Sequence, residues 1–240
     1  MWADLLPENA PNDDEGQYIA RGATLSGVKW LDTNTTLNAH KDEPIYYRTD
    51  HHWTSLGAYY AYAALMEGMG RTPKALGDFT ATVASDQFFG TSFSSSGVRW
   101  MEPDTIEFYV PQDAATVTNY FDGTPTPGQL YDLSKLAEKD KYAAFLGGNK
   151  PLTVLKSNVK FNVAPADAPK LMIIRDSYAD SLAPFLCYNF SEIHLIDPRY
   201  YKVSMAQYAK DNGIDEILVL YNVSNFVSDS NLSVLSVPAK

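Results

Sequence analysis

Between Lys170 and Leu220 the chain alternates three short apolar runs with two helical stretches. Lys170–Arg175 (KLMIIR), Ile193–Ile196 (IHLI) and Glu216–Leu220 (EILVL) read as strands, and Ala179–Tyr188 and Ser204–Lys210 read as helices. Strands that are apolar almost without interruption bury both faces, unlike the alternating strands of a half-solvated sheet. Helices must therefore cover both sides, and the short connections bring each strand back parallel to the last. This pattern sets the fold class as α/β.

The rest of the chain is organised around that block. A helix is predicted at the end of the first region, about Tyr18–Gly70, with Thr54 or Ser55 as its cap, Leu56, Tyr59, Tyr60, Ala63 and Ala64 at helical spacing, and Gly68 and Gly70 as its stop. The middle, 71–169, is rich in glycine, serine and threonine. It carries short alternating runs at Ile106–Val110, Thr116–Phe121, Leu152–Leu155 and Val159–Val163, with one charged helical stretch at Leu130–Ala144. These runs predict a β-rich insertion. Residues 1–17 read as a disordered lead-in, and 18–240 as a single domain. A length of 240 residues with 45% hydrophobic residues suits such a domain.

Charge and cysteine usage exclude whole classes. Nineteen Lys and Arg against 29 Asp and Glu give a net charge of −10, and phosphate contacts need a basic face, so nucleic acid is no partner. The single cysteine, Cys187, sits among Leu182, Phe185 and Leu186 and reads as packing. One cysteine forms no internal disulfide, so thiol usage does not assign a compartment. No run approaches the ~18 apolar residues of a membrane span. Sixteen tyrosines and four tryptophans would suit flat polar ligands such as sugars, although aromatics also fill cores. Trp100 and the Tyr46–Tyr47 pair are the stacking candidates, with packing the stronger reading.

In open α/β sheets, reactive groups sit at the carboxyl ends of strands, where the next helix begins. Ser177 occupies that position after LMIIR, at a helix N-terminus whose N–H groups favour a developing oxyanion. Serine is equally a standard helix cap, and on position alone the cap is the stronger reading. The segment Asp50-His51-His52-Trp53 shifts the balance. A serine hydroxyl needs a general base, imidazole suits that task, and a carboxylate can orient it. If the segment is extended, Asp50 and His52 project to the same side and His51 to the other. Two further readings compete: a metal site, for which adjacent histidines are a poor chelate pair, and a capped helix with no chemistry.

The segments YRTDHHWTSLGAYYAY (Tyr47–Tyr62), RDSYADSLAPFL (Arg175–Leu186) and EIHLIDPRYY (Glu192–Tyr201) together resemble the DHHW protein family. That family is related to the SGNH-like acetyltransferases of bacterial exopolysaccharide modification, the alginate O-acetylation proteins. The resemblance runs from about residue 40 to the C-terminus. In those relatives a Thr-Asp-x-His-Trp block supplies acid and base, and an Asp-Ser-Tyr/Phe block supplies the nucleophile. The resemblance thus implies Ser177 as nucleophile, His52 as base and Asp50 as orienting acid. The implied fold is an SGNH-like, flavodoxin-like parallel sheet core with crossover helices. Tyr178 is expected to pack beside the serine turn.

Candidates for the oxyanion or substrate site are the Ser177 N–H, Gly90, Asn222 (with Asn225 beside it) and Arg199. A turn asparagine and an ordinary salt bridge from Arg199 to Asp197 or Asp176 are the plain alternatives. The expected activity is O-acetyl transfer or O-acetylester hydrolysis on a bacterial cell-surface or extracellular polysaccharide, through an acyl-Ser177 intermediate, with no cofactor and no metal. The acyl donor is open, with room for a membrane-bound acyl-delivery partner. Relatives work outside the cytoplasmic membrane, so an extracytoplasmic location is expected, behind a leader or anchor that is absent here. The contrasting reading is a catalytically silent carbohydrate-binding or exopolysaccharide-assembly module, its ligand surface in the strand-rich middle. A metal-dependent hydrolase built on Asp50, His51 and His52 is a third. Separation between Ser177 Oγ and a His52 ring nitrogen discriminates the first two.

Overall fold

The computed structural model describes residues 7–10, 14–161 and 168–239. Three helices come first: α1 (Glu15–Leu25), α2 (Asn34–Ala39) and α3 (Ser55–Gly68). The lead-in expected over 1–17 falls partly outside the described residues. Within it, Asp14 accepts the Gln17 N–H at 3.0 Å and α1 begins at Glu15, so the disorder expected up to Gln17 gives way to a capped helix. The cap of α3 is Thr54, whose hydroxyl accepts the Gly57 N–H.

The central sheet is mixed. Strand β1 (Thr82–Phe88), helix α4 (Thr91–Ser96) and strand β2 (Asp104–Phe108) come next, β1 and β2 forming a separate antiparallel ribbon. Strands β3 (Ala115–Tyr120), β4 (Pro125–Pro127), β5 (Leu152–Ser157) and β6 (Lys170–Arg175) follow, then α5 (Tyr178–Leu186), β7 (Glu192–Ile196), α6 (Met205–Asn212), β8 (Glu216–Leu220) and α7 (Val223–Ser228). Six strands form one sheet in the order β4-β3-β5-β7-β6-β8. Strand β6 runs parallel to both β7 and β8, Leu171 facing Ile193 and Glu216. Strand β5 joins β7 antiparallel, and β3 and β4 continue antiparallel outward. The parallel block read between 170 and 220 is present, and strands of the middle segment extend it.

Two apolar clusters sandwich this sheet. Leu171 and Ile173 of β6 pack with Ile193, Leu195, Leu155 and the buried faces of α3 and α5. Met172 and Ile174 point the other way, onto Ile196, Val154 and Met205 of α6, with Leu232 and Leu235 near the C-terminus. Neighbouring residues of one strand alternate between the two cores, which is why the strand is apolar throughout.

The middle departs from expectation in two places. Leu130–Ala144 is not a helix but two short 3-10 turns, Leu133–Ala137 and Lys141–Ala144. Leu130, Tyr131, Tyr142 and Phe145 are all buried, and Asp132 and Leu146 donate their N–H groups to Ala144 and Leu130 carbonyls. Both ends of the stretch are thus pinned side by side, and core packing overrides helix propensity. The strand expected at Val159–Val163 lies partly outside the described residues, and its described part is irregular. Cys187 is buried beside the Ala183 carbonyl, and burial raises its thiol to about 12, as suits packing.

Candidate active site

Strand β6 ends at Arg175, and Asp176 and Ser177 turn the chain into α5. Asp176 shapes that turn. Its Oδ1 accepts the Tyr178 N–H at 2.9 Å, while its Oδ2 accepts the Asn222 N–H at 3.0 Å and the Asn225 amide at 2.7 Å. With Asp176 serving the first turn, Ser177 makes no side-chain cap bond although it stands at the cap position. Its hydroxyl turns elsewhere: Ser177 Oγ lies 2.7 Å from His52 Nε2.

His52 comes from a tight loop. The Tyr47 N–H donates to the His52 carbonyl and the Thr54 N–H to the Ile45 carbonyl, so the two limbs of 45–54 pair. Asp50 and His52 meet inside it, not along the extended segment expected from the sequence. Asp50 Oδ1 accepts both the His52 backbone N–H at 3.0 Å and the His52 Nδ1 proton at 2.6 Å, an Asx-type turn. Asp50 Oδ2 accepts the Thr91 N–H at 2.8 Å and the Thr91 hydroxyl at 2.9 Å. Burial alone would push the Asp50 carboxyl up, but His52 and the N–H groups of Thr91 and His52 hold it well below the usual carboxylate range.

Surrounding residues lock this arrangement. The Tyr142 ring stacks on His52 with centroids 3.7 Å apart and planes at 9°. Its hydroxyl reaches the Ser177 carbonyl at 3.1 Å and Ser181 Oγ at 3.0 Å. Trp53 Nε1 donates to the Tyr178 carbonyl and to Ser181 Oγ, tying the loop to α5. Below it, buried Asp104 at the start of β2 accepts from the Thr49 N–H at 2.7 Å and the Thr49 hydroxyl at 2.6 Å. Beneath the serine turn, Arg175 is wholly buried and pairs with Asp180 at 3.1 Å. Burial pushes the Asp180 carboxyl up to about 6, against the pull of Arg175.

The structure therefore brings Ser177, His52 and Asp50 into one hydrogen-bonded line, and it gives the tentative oxyanion residues partners of their own. Gly90 spends its N–H on Thr49 Oγ1 at 3.2 Å. Its value is spatial, since a Cβ there would lie 2.2 Å from Asp50 Oδ2. Asn222 gives its N–H to Asp176 and accepts the Asn225 N–H at 3.3 Å, capping α7. Arg199 is bound twice to Asp197, Nε at 2.9 Å and Nη2 at 2.6 Å, so the plain salt bridge holds. Tyr178 packs beside the turn as expected, its ring 5.1 Å from those of His52 and Trp53 and its hydroxyl donating to the His51 carbonyl. The Ser177 N–H, another of the candidates, has no acceptor among the described residues.

Sequence reasoning missed Thr91, Tyr142 and Asp104. Thr91 stands next to Gly90 in FFGTSF and Tyr142 is one of 16 tyrosines, so neither stands out before the chain is folded. Asp50, His51 and His52 also form the one group among the described residues whose ligand atoms lie close enough, within 4.8 Å, to share a metal ion. A metal bound there would displace the proton that joins His52 Nδ1 to Asp50, so the hydrogen-bond line favours imidazole–carboxylate chemistry. An aromatic cleft of about 500 Å³, lined among others by Phe79, Phe108, Tyr109, Tyr131 and Tyr188, does not include the serine.

Known proteins resemble this fold to differing degrees. Curated proteins give no match. Among solved structures, a DHHW family protein from Eubacterium siraeum is 26% identical, with a TM-score of 0.79 over 100% of this chain and 80% of that one. PatB1 from Bacillus cereus, solved with a sulfonyl adduct, is 20% identical, with a TM-score of 0.72 over 96% of this chain and 79% of that one. The O-acetyltransferase domain of Pseudomonas putida AlgJ is 15% identical, with a TM-score of 0.53 over 98% of this chain and 74% of that one. The last two show a shared mixed α/β fold. The pattern of the DHHW protein family itself matches residues 30–196, from ahead of the Asp50-His51-His52-Trp53 loop through Ser177 to the end of β7, and the chain belongs to that family.

Proposed function

We propose that the protein is a serine-dependent acyl-transfer enzyme that moves an O-acetyl group to or from a bacterial cell-surface or extracellular polysaccharide through an acyl-Ser177 intermediate. One observation carries the reading: Ser177 Oγ, His52 Nε2, His52 Nδ1 and Asp50 Oδ1 stand in line at 2.7 and 2.6 Å. That spacing is within reach for proton transfer. It also argues against the silent binding module, for which a packed gap between serine and imidazole was expected.

His52 Nε2 takes the hydroxyl proton as Ser177 Oγ attacks the acyl carbonyl. The Ser177 N–H, at the positive end of α5, faces the developing oxyanion. His52 returns the proton to the departing alcohol, leaving acyl-Ser177. In the second half an acceptor O–H gives its proton to His52 Nε2 and attacks the ester, and Ser177 Oγ leaves with that proton. Water as acceptor makes an esterase, and a sugar hydroxyl makes a transferase. Asp50 stays ionised and steadies the imidazolium. A nucleophile at the end of a parallel strand, with helices on both faces, favours an SGNH-like, flavodoxin-like core extended by antiparallel strands. Likeness to the AlgJ O-acetyltransferase domain supports acetyl as the acyl group; to this we add an extracytoplasmic location and a membrane-bound acyl-delivery partner. No described helix is long and apolar enough to cross a membrane.

The test is p-nitrophenyl acetate turnover together with intact-mass analysis, wild type beside Ser177→Ala. An acetyl adduct and release of p-nitrophenol in wild type, both absent in Ser177→Ala, are expected. Equal turnover by the two folded proteins rejects the reading.

A further inference from the structure

His51 is placed to do something the triad does not require. Its ring lies over that of His52, centroids 3.9 Å apart and tilted by 37°. Its Nδ1 is 2.6 Å from Thr91 Oγ1. The Thr91 hydroxyl has one proton, which goes to the Asp50 carboxylate at 2.9 Å. An ionised carboxylate donates nothing, so the proton between Thr91 and His51 comes from His51 Nδ1. Burial and the neighbouring His52 both lower the His51 pKa, which keeps the ring neutral at pH 7. A neutral ring protonated at Nδ1 has a bare lone pair at Nε2.

The direction of that lone pair follows from the same contacts. Both Nδ1 atoms face Asp50 Oδ1, His52 at 2.6 Å and His51 at 3.7 Å. Both Nε2 atoms therefore look away from that carboxylate, His52 Nε2 onto Ser177 Oγ. The His51 side chain is 44% exposed, and its Nε2 has no hydrogen-bond partner among the described residues. The site thus offers two hydrogen-bond acceptors on neighbouring rings whose centroids are 3.9 Å apart. Neighbouring hydroxyls on a sugar ring are close enough for each to donate to one of them.

We infer that His51 selects the acceptor. Its Nε2 holds a second hydroxyl while His52 Nε2 takes the reacting one, so acyl-Ser177 prefers a vicinal diol to a lone alcohol. This rests on the acyl-transfer reading and names its acceptor class. The attacking hydroxyl forms the new ester bond, its proton goes to His52, and the Ser177 Oγ–acyl bond breaks and takes that proton. His51 gains and loses no proton.

The experiment loads the enzyme with p-nitrophenyl acetate in an equal mixture of cyclohexanol and cis-1,2-cyclohexanediol. It reads the ratio of diol monoacetate to cyclohexyl acetate. Both products come from one acyl-enzyme pool, so the acylation rate cancels. Wild type is expected to favour the diol by roughly tenfold, the worth of one added hydrogen bond. His51→Phe should drop the ratio to that of the hydroxyl counts, and His51→Gln, which keeps a carbonyl acceptor, should restore part of it. Nitrogen NMR of wild-type imidazoles, which needs no variant to fold, should show His51 protonated at Nδ1. A ratio unchanged in His51→Phe, an Nε2-protonated His51, or acetyl passing to water alone overturns the inference while leaving Ser177 as nucleophile. Absence of any adduct at Ser177 sinks both.

Discussion

Asp50 is the residue on which the site's order converges. Four donors end on its two oxygens: the His52 N–H and Nδ1, and the Thr91 N–H and hydroxyl. Replacing it with asparagine exchanges one acceptor oxygen for a donor and frees the His52 tautomer. Asp50→Asn is expected to lower kcat by roughly 10³- to 10⁴-fold, with little effect on KM, in steady-state ester hydrolysis. The same substitution has a stability signature. Because the folded carboxyl titrates below its unfolded value of about 4, its stabilisation is complete above that pH and is lost as pH falls through the folded value. Urea unfolding should find Asp50→Asn less stable than wild type at neutral pH. The gap should narrow on lowering the pH to about 3. A gap independent of pH would mean that the carboxylate is not held as described.

Between elements, the site is an intersection of three junctions. The β6–α5 turn brings Ser177, the 45–54 loop ahead of α3 brings Asp50 and His52, and the β1–α4 junction brings Gly90 and Thr91. Gly57 on α3 lets the loop lie flat, since a Cβ there would fall 2.1 Å from the Ile45 carbonyl oxygen. Gly90 does the same for Asp50. Its φ of −90° is open to any residue, so space and not backbone strain requires glycine. Gly90→Ala is expected to lower stability by ~1–3 kcal/mol through overpacking. It should also slow acylation, as Asp50 is pushed off His52. Thermal melts and the p-nitrophenol burst rate check the two effects. Full retention of both would show that the β1–α4 junction gives way freely.

For the whole molecule, the telling fact is that β3, β4 and β5 share one sheet with β6, β7 and β8. Leu155 of β5 sits in the same buried cluster as Leu171, Ile193 and the faces of α3 and α5. A middle segment hydrogen-bonded to β7 along Leu152–Lys156 is expected to melt with the core. Thermal unfolding followed by far-ultraviolet and near-ultraviolet circular dichroism should therefore give coincident transitions. Two separated transitions would mean that 71–169 folds as an independent insert.

Sequence alone determined the parallel strand–helix alternation after Lys170, the helix between the Thr54 or Ser55 cap and the glycine stop, and the association of Ser177 with Asp50 and His52. Each is written in local order: apolar runs, a capping threonine, or motif blocks shared with a family. Tertiary structure alone decided the rest. Leu130–Ala144 gave up helix for two pinned turns because its apolar residues are anchored in the core. The Ser177 hydroxyl was released from capping because Asp176 took the first-turn N–H. Gly90 proved a spacer, and Arg199 the partner of Asp197. Thr91, Tyr142 and Asp104 joined the site from 41, 92 and 54 residues away from Asp50 along the chain. Contacts at such separations depend on which elements pack together, and no local pattern of residue types encodes that.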